Sequence, residues 1–194
     1  MAMVVGAALV LLAIWLVMIF NGLVKMRNQV KNALVQIDVQ LKRRHDLIPN
    51  LVATTKGYLQ HETQTLQAVI AARNHASQLH GGAHQEQRGD YLALLAQAET
   101  QLSRALGQLY AVVENYPELK ADKLVKELFD ELTNTENRIG FARQHYNDSV
   151  MFYNNAREMF PNNLVSAVFA FEPIASLQFA DKSIINTAPV VSLS

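Results

Sequence analysis

The N-terminal end of the chain is one uninterrupted apolar run. Residues 1–20 contain no charged or amide side chain and consist mainly of valine, leucine, isoleucine, alanine and methionine. A helix rises about 1.5 Å per residue, so about twenty residues match a hydrocarbon core of about 30 Å. The run therefore predicts a transmembrane anchor over residues 1–22.

A cleaved signal peptide is the alternative interpretation of this run. Signal peptides carry a basic segment before the apolar one and small residues at the cleavage site. Here no lysine or arginine precedes the run, and the sequence FNGL follows it at residues 20–23. Lys25, Arg27 and Lys31 come shortly after the run, and basic flanks stay in the cytoplasm. We therefore favour an anchor with the N-terminus outside and the body cytoplasmic.

Apolar side chains then recur at helical spacing from Leu23 to Leu59. No glycine or proline interrupts the stretch from Leu23 to Ile48, so the anchor is predicted to continue directly into the first helix of the body. Pro49 cannot donate a backbone hydrogen bond and clashes with the preceding turn. It predicts a kink over residues 45–50 or a restart of the helix there, and we favour the kink.

The same spacing predicts three further helices, over residues 62–79, 85–115 and 117–158. Two glycines in the sequence HGGAH at 80–84 predict a loop between the first two, and Pro117 suits the start of the last. That last helix carries a stripe spaced alternately by three and four residues, which is typical of coiled-coil packing: Val125, Leu128, Leu132, Thr135, Ile139, Ala142, Tyr146, Ser149 and Tyr153.

Helices joined by short loops pack antiparallel. The predicted fold is therefore all-α: an elongated antiparallel bundle of about four long helices at residues 23–172, with a C-terminal tail at 173–194. The last helix would return towards the membrane and bring a set of apolar residues near the headgroups: Phe160, Pro161, Leu164, Val165, Val168, Phe169 and Phe171. These residues either form an interfacial foot or cap the end of the bundle core, and we favour the cap.

Two segments are more specific than helical periodicity requires. They are residues 32–57, NALVQIDVQLKRRHDLIPNLVATTKG, and residues 132–154, LTNTENRIGFARQHYNDSVMFYN. Together with AVVENYPELKA at 111–121 and FPNNL at 160–164, they resemble the LemA family over residues 21–172. The resemblance implies a bacterial membrane-anchored helical bundle without accepted catalytic residues. The tail continues beyond the point where family sequences often end.

Composition narrows the choice of function. The 17 basic and 17 acidic residues cancel, so no net positive field favours a nucleic-acid partner. Cysteine is absent, which removes disulfides, thiolate metal sites and cysteine nucleophiles. The pair His61-Glu62 begins like a zinc-protease motif, but residue 65 is threonine where the motif requires a second histidine. We predict no cofactor, no metal and no enzymatic activity.

Charged and amide residues of the first and last long helices form the candidate interaction site. Opposite charges near the middle of antiparallel helices predict a polar layer that sets register, with Arg44 or Asp46 against Arg138, Glu136 or Arg143. The candidate residues of this layer and of a partner surface are Asp38, Arg44, Asp46, Glu136, Arg138, Arg143, Asn147 and Asn154. The alternative interpretation is a proton-transfer or metal site built from His45, Asp46, Glu136 and His145.

Histidines near the glycine loop, at positions 75, 80 and 84, are interpreted as solvated loop residues rather than metal ligands. The asparagines of the last helix are middling to poor helix formers, which suggests compensating hydrogen bonds across the bundle or to a neighbouring subunit. We favour partner-facing side chains, with Asn147 and Asn154 as the candidates. Two functional hypotheses follow. The protein is a membrane scaffold that forms a homo-oligomer in the bacterial inner membrane, or it is an adaptor or regulator of another membrane protein such as a protease or sensor.

Overall fold

The computed structural model describes residues 1–79 and 89–178, and these contain six α-helices and no β-strand. This confirms the predicted all-α fold. The predicted glycine loop with His80 and His84, and most of the predicted tail, lie outside the described residues. The helices are α1 (Ala2–Thr55), α2 (Thr63–Leu79), α3 (Gly89–Val113), α4 (Pro117–Ala121), α5 (Lys123–Glu158) and α6 (Asn162–Val168).

The first helix joins the apolar run to the body without a break, as the sequence predicts. Every residue from Met1 to Met18 is exposed, and the most apolar eighteen-residue window of α1 has a mean hydropathy of 2.9. This helix is long and apolar enough to cross a membrane. Its buried residues begin only at Leu23, where the packed part of the protein starts.

The helix also continues through Pro49, so the alternative of a restart is wrong. A proline at this position has no N–H to donate to the carbonyl of residue 45, four residues earlier. The guanidinium of Arg73 on α2 replaces that donor, since its Nε donates to the His45 carbonyl oxygen at 3.2 Å. Arg73 therefore satisfies the backbone acceptor that Pro49 leaves without an N–H donor, and this hydrogen bond connects α1 to α2.

The predicted helix over 117–158 is divided at Asp122, which corrects the expectation of one continuous helix. Asp122 has an extended backbone with ψ of 121°. Its side-chain Oδ1 accepts hydrogen bonds from the N–H groups of Leu124 at 2.9 Å and Val125 at 3.1 Å. This is the geometry of a helix N-cap, and aspartate is among the residues that favour that position. The short α6 is a second element that periodicity did not predict.

The chain contacts separate into two compact units. The first combines residues 1–37 with residues 141–176, and the second consists mainly of residues 38–140. Helices α1 and α5 therefore contribute residues to both units. The predicted division into anchor, bundle and tail follows different boundaries and stays a prediction.

In the first unit, the start of the predicted tail packs against the buried face of α5. The hydroxyl groups of Tyr146 and Tyr153 donate to the carbonyl oxygens of Ala175 and Glu172, each at 2.9 Å. Both aromatic rings are fully buried. Residues 171–176, which belong to no helix or strand, are thus held against α5 by side chains of the stripe, so the packed structure continues beyond the last helix.

In the second unit, hydrogen bonds between helices show an antiparallel arrangement. The Tyr91 hydroxyl at the start of α3 donates to the Leu79 carbonyl at the end of α2. At the opposite ends, the Tyr116 hydroxyl lies 3.4 Å from the Glu62 carboxylate. Between them lies an apolar core to which all the long helices contribute, including Ile48, Leu51, Val69, Leu102, Leu109 and Leu132.

Candidate functional site: a buried ion-pair layer

Two charged residues occupy core positions in the apolar stripes of the second unit. In α1, Arg44 falls between Leu41 and Ile48, at the spacing of three and four that brings residues onto the buried face. In α3, Glu99 occupies the corresponding position between Leu95 and Leu102. The helical period therefore places both charged side chains on the buried faces of their helices, although charged groups are normally solvated.

The two side chains meet inside the unit. The Arg44 guanidinium is 4 % exposed and Glu99 is fully buried, with 3.3 Å between Arg44 Nη1 and Glu99 Oε2. The second terminal nitrogen of Arg44 donates to the Ser103 hydroxyl at 2.8 Å and lies 2.9 Å from Glu136 Oε2. A buried charge is tolerated only when it is paired and hydrogen-bonded. Arg44 meets this condition through contacts with α3 and α5.

His45 completes the buried layer. Its Nε2 lies 2.8 Å from Glu99 Oε1, so the two carboxylate oxygens of Glu99 contact two successive residues of α1. His45 is buried as well, and its backbone carbonyl is the acceptor of the Arg73 hydrogen bond described above. The layer thus links α1, α2, α3 and α5 at a single level of the second unit.

The layer reaches solvent on the α5 side. Glu136 is 52 % exposed, and the neighbouring pair of Arg43 and Glu131 also lies at the surface. An open cavity of about 310 Å³ borders Arg44 and Glu136, and Ser103, Tyr110 and Thr133 supply hydroxyl groups to its wall. The Tyr110 hydroxyl is within 3.1 Å of the Thr133 hydroxyl and donates to the Phe129 carbonyl at 3.0 Å.

The contacts of this layer are saturated by side chains of the protein itself. Arg44 faces two carboxylates, so its positive charge is already compensated and the cavity offers no unpaired cation to an anionic ligand. Burial raises the pKa of the Tyr110 hydroxyl, which keeps this group neutral beside the cavity. The arrangement is suited to fixing the register of helices.

The structure brings together only some of the predicted site residues. Arg44 and Glu136 are in direct contact across α1 and α5. Asp46 is exposed and pairs within α1 with Lys42 at 2.8 Å, and the hydrogen bond from Lys42 lowers the pKa of its carboxyl group. Asp38 and Arg138 are exposed residues of the second unit.

The remaining predicted residues belong to the first unit. Arg143 and Asn147 are half-buried on α5. The Asn154 amide donates to the Ile174 carbonyl at 2.9 Å, and its oxygen accepts from the Ile174 N–H at 3.1 Å. Both ends of this amide thus bind Ile174 of its own chain, and a partner-facing role of Asn154 stays a prediction.

The alternative metal or proton-transfer site finds no geometric support in residues 1–79 and 89–178. His45 binds Glu99, whereas Asp46 is exposed beside Lys42. His145 belongs to the first unit. Within the described ranges, no group of three histidine, aspartate or glutamate side chains is placed to hold a metal ion.

Glu99 is the central residue that the sequence interpretation missed. The stripe of α3 is spaced by three and four from Leu92 to Leu109 only if position 99 is included. A glutamate in an otherwise leucine-rich stripe is a signal for a buried ion pair, because glutamate is almost never fully buried without a partner. The stripe of α1 gives the same signal at Arg44.

The chain is similar to proteins named LemA and MamQ. The protein LemA of Metamycoplasma hominis is 24 % identical over 161 residues, which cover 83 % of this chain and 69 % of that protein. The magnetosome protein MamQ of Magnetospirillum gryphiswaldense is 26 % identical over 176 residues, covering 82 % of this chain and 64 % of the relative. Magnetosome protein MamQ 2 of Paramagnetospirillum magneticum is 28 % identical over 174 residues, covering 81 % and 64 %.

The chain therefore spans slightly less than two thirds of the MamQ relatives. A model of the LemA family matches residues 33–193. This range includes residues 132–154 and all but the first residue of 32–57, and it extends into the C-terminal tail as far as residue 193, which the resemblance had left outside. Because the match covers most of the sequence, from the first helix of the body to the tail, the chain belongs to the LemA family.

Proposed function

We propose that this protein is a non-enzymatic membrane scaffold, anchored by residues 1–22 in the bacterial inner membrane, whose helical body associates with further copies of itself. The observation that carries the proposal is a pair of exposed phenylalanines on one face of α5 in the first unit. Phe141 is 73 % exposed and Phe152 is 63 % exposed, although both lie outside the apolar run. Large apolar surfaces that remain exposed on soluble parts of proteins often mark interaction sites.

This face is distinct from the buried face of the same helix. Tyr146, Val150 and Tyr153 point into the unit, whereas residues 141, 145, 148 and 152 follow one another at helical spacing on the exposed side. Next to Phe152 lies an open groove of about 450 Å³ bordered by Met26, His145 and Asp148. An aromatic centre with polar groups around it is the composition of many protein interfaces.

Two further properties favour a second copy as the occupant. The zero net charge of the chain removes the long-range repulsion that keeps highly charged proteins apart. Anchors also hold the copies in one plane, which raises their effective concentration without any additional contact. Burial of one phenylalanine contributes about 1.5–3 kcal/mol, so the two aromatic residues on each copy supply a substantial part of an interface.

Cysteine crosslinking of the full-length protein in native membrane vesicles tests this surface directly. The chain contains no cysteine, so Phe152→Cys creates a single reactive position. Leu94→Cys is the matched control, because Leu94 is also an exposed apolar helix residue but belongs to the second unit. We expect covalent dimers for Phe152→Cys and few for Leu94→Cys.

Mass photometry in mild detergent measures the size of the particles. We expect regular particles of several copies for the natural sequence and smaller ones for the Phe141→Asp, Phe152→Asp double variant. Leu94→Asp serves as the control that should leave the particle size unchanged. Monomers of the natural sequence, together with no crosslinked dimer in membranes, would refute self-association.

The alternative function is that of an adaptor or regulator of another membrane protein, such as a protease or sensor. The polar border of the α5 groove, with His145 and Asp148, suits a heterologous partner as well as a second copy. Crosslinks from Phe152→Cys to a different protein, with no product of twice the chain mass, would favour this alternative.

Orientation is part of the proposal. Lys25, Arg27 and Lys31 follow the apolar run directly, and basic residues near the end of a span remain in the cytoplasm. A maleimide reagent that cannot cross membranes should label Leu94→Cys in inverted inner-membrane vesicles and not in intact spheroplasts. The opposite pattern would place the helical body outside the cytoplasm.

A further inference from the structure

The segment that follows α5 is unusually apolar for the surface of a protein. From Met159 to Phe171 the chain has no charged residue. Its large apolar side chains are nevertheless mainly exposed: Phe160 78 %, Val168 77 %, Met159 63 %, Leu164 59 % and Phe169 59 %. Exposure of a contiguous apolar surface to water is unfavourable in free energy, which suggests that something other than water covers these side chains.

The exposure does not result from loose packing of the segment. The Ser166 hydroxyl donates to the carbonyl oxygen of Arg157 at 3.1 Å, and the Asn162 amide donates to the carbonyl of Ala156 at 2.9 Å. Val165 is buried against the first unit. Leu164 and Val168, one helical turn apart, are therefore presented outwards by a helix whose opposite side is fixed.

The segment lies at the end of the apolar run. The ring of Phe169 is 4.9 Å from the ring of Phe20, and the ring of Phe171 is 5.5 Å from it, both in edge-to-face geometry. Phe20 is the last residue of the run. The Arg27 guanidinium lies over the Phe171 ring at 5.2 Å, so the first basic residues follow within two helical turns.

We propose that α6 and the residues flanking it form a second membrane contact, in which the exposed apolar side chains enter the boundary between lipid headgroups and acyl chains. The proposal rests on the anchor of the proposed function but not on self-association. If residues 1–20 span the bilayer, Phe169, which directly follows α6 and contacts Phe20, lies at the depth where the span ends. Apolar residues on one face of a helix are favoured at that depth.

The bilayer fits this surface better than a protein partner does. Lipid already surrounds the end of the span, so a protein that covered α6 would first have to displace it. Arg27 and the exposed Lys25 lie beside the apolar segment and suit the phosphate groups of the same lipids. The contact adds a second point of attachment beside the continuous helix α1, which restrains the tilt of the first unit against the membrane surface.

Tryptophan fluorescence in proteoliposomes tests this contact. The only tryptophan of the chain is Trp15, inside the apolar run. On a Trp15→Phe background, Phe160→Trp places a single fluorophore on the proposed contact. Phe141→Trp is the matched control, because Phe141 is equally exposed and belongs to the same unit, about 26 Å along α5 from Glu158.

Each protein is reconstituted at full length in phosphatidylcholine vesicles that contain lipids brominated in the upper part of the acyl chain. Bromine quenches tryptophan only at short range. We expect strong quenching and blue-shifted emission for Phe160→Trp, and no quenching by the brominated lipid for Phe141→Trp, whether solvent or a second copy surrounds that position. Val168→Trp should behave like Phe160→Trp, and it protects the test against a local distortion at either position.

The natural protein separates failure of this proposal from failure of the anchor. Quenching of Trp15 without quenching at positions 160 and 168 overturns the membrane contact and leaves the anchor intact. Absence of Trp15 quenching overturns the anchor and, with it, the second contact. Blue-shifted but unquenched emission at positions 160 and 168 shows that protein rather than lipid covers α6, and this also overturns the proposal.

Discussion

Removal of the Glu99 carboxylate is the sharpest test of the buried layer. Glu99→Leu is suited to the apolar stripe of α3 and to a helix, so the substitution introduces no conflict of secondary structure. It does leave the Arg44 guanidinium buried with only Ser103 and the half-exposed Glu136 as partners. The substitution also removes the carboxylate oxygen that is the hydrogen-bond partner of His45 Nε2.

The expected cost follows from the difference between breaking and replacing a buried pair. Removing one partner of such a pair costs about 3–5 kcal/mol, because the other charge remains buried without compensation. Since Glu136 stays in contact with Arg44, we expect about 3 kcal/mol for Glu99→Leu. The Arg44→Met, Glu99→Leu double variant removes both charges, and the unsatisfied His45 nitrogen then accounts for about 1–3 kcal/mol. The double variant should therefore be more stable than Glu99→Leu alone.

Urea unfolding of the full-length protein in detergent micelles, followed by the helical circular dichroism signal, measures these differences. Urea keeps the ionic strength constant, which matters for comparisons of charged residues. Glu131→Leu is the matched control, because its partner Arg43 is at the surface and such pairs contribute about 0–1 kcal/mol. The reasoning is refuted if Glu99→Leu lowers the free energy of unfolding no more than Glu131→Leu does. It is also refuted if the loss in the double variant equals the sum of the losses in Glu99→Leu and Arg44→Met.

Three further predictions concern single elements of the fold. Asp122→Ala should cost about 1 kcal/mol in the same urea assay, because it removes the N-cap of α5, and Asp122→Asn should cost less; equal losses would argue against the cap. Arg73→Met should lower the free energy of unfolding by about 1–3 kcal/mol, because the His45 carbonyl loses its side-chain donor. On a Pro49→Ala background the same change should cost less, since the restored N–H of residue 49 can donate to that carbonyl. An equal loss on both backgrounds would contradict this role of Arg73. Burial raises the pKa of Tyr146 from 10.0 to about 12. The unfolded chain therefore loses this proton at lower pH than the folded one, and the free energy of unfolding should fall as the pH rises from 10 towards 12. Tyr146→Phe should show a smaller fall, and a fall of the same size in this variant would exclude Tyr146 as its source.

The sequence by itself determined the class of fold and the membership in a family. The uncharged run of residues 1–20 is long enough to span a bilayer, and its continuity with the first helix of the body follows from the absence of glycine and proline between Leu23 and Ile48. The periodic stripes located the long helices because burial of one face imposes the same spacing wherever a helix packs. Two specific segments indicated the LemA family, which the family match confirms.

Only the tertiary structure decided which polar residues meet. The charged cluster of α1 contains three successive basic side chains, of which Arg44 is buried and Lys42 and Arg43 are exposed. The sequence singled out Arg44 but did not identify Glu99 as its partner. The difference in burial arises from the rotation of α1 relative to its neighbours, which turns one of the three towards Glu99 on α3. Asp46, an equally plausible partner by spacing, faces solvent instead.

The same limit applies to the ends of helices and to contacts between distant segments. The break at Asp122 depends on local hydrogen bonds from the N–H groups of Leu124 and Val125, and the apolar stripe, which begins only at Val125, carries no information about them. The contact between Phe20 and Phe169 joins residues far apart in the chain. Periodicity describes which face of a helix is buried, but it carries no information on which other face it meets, since any apolar stripe of the same width satisfies it equally well.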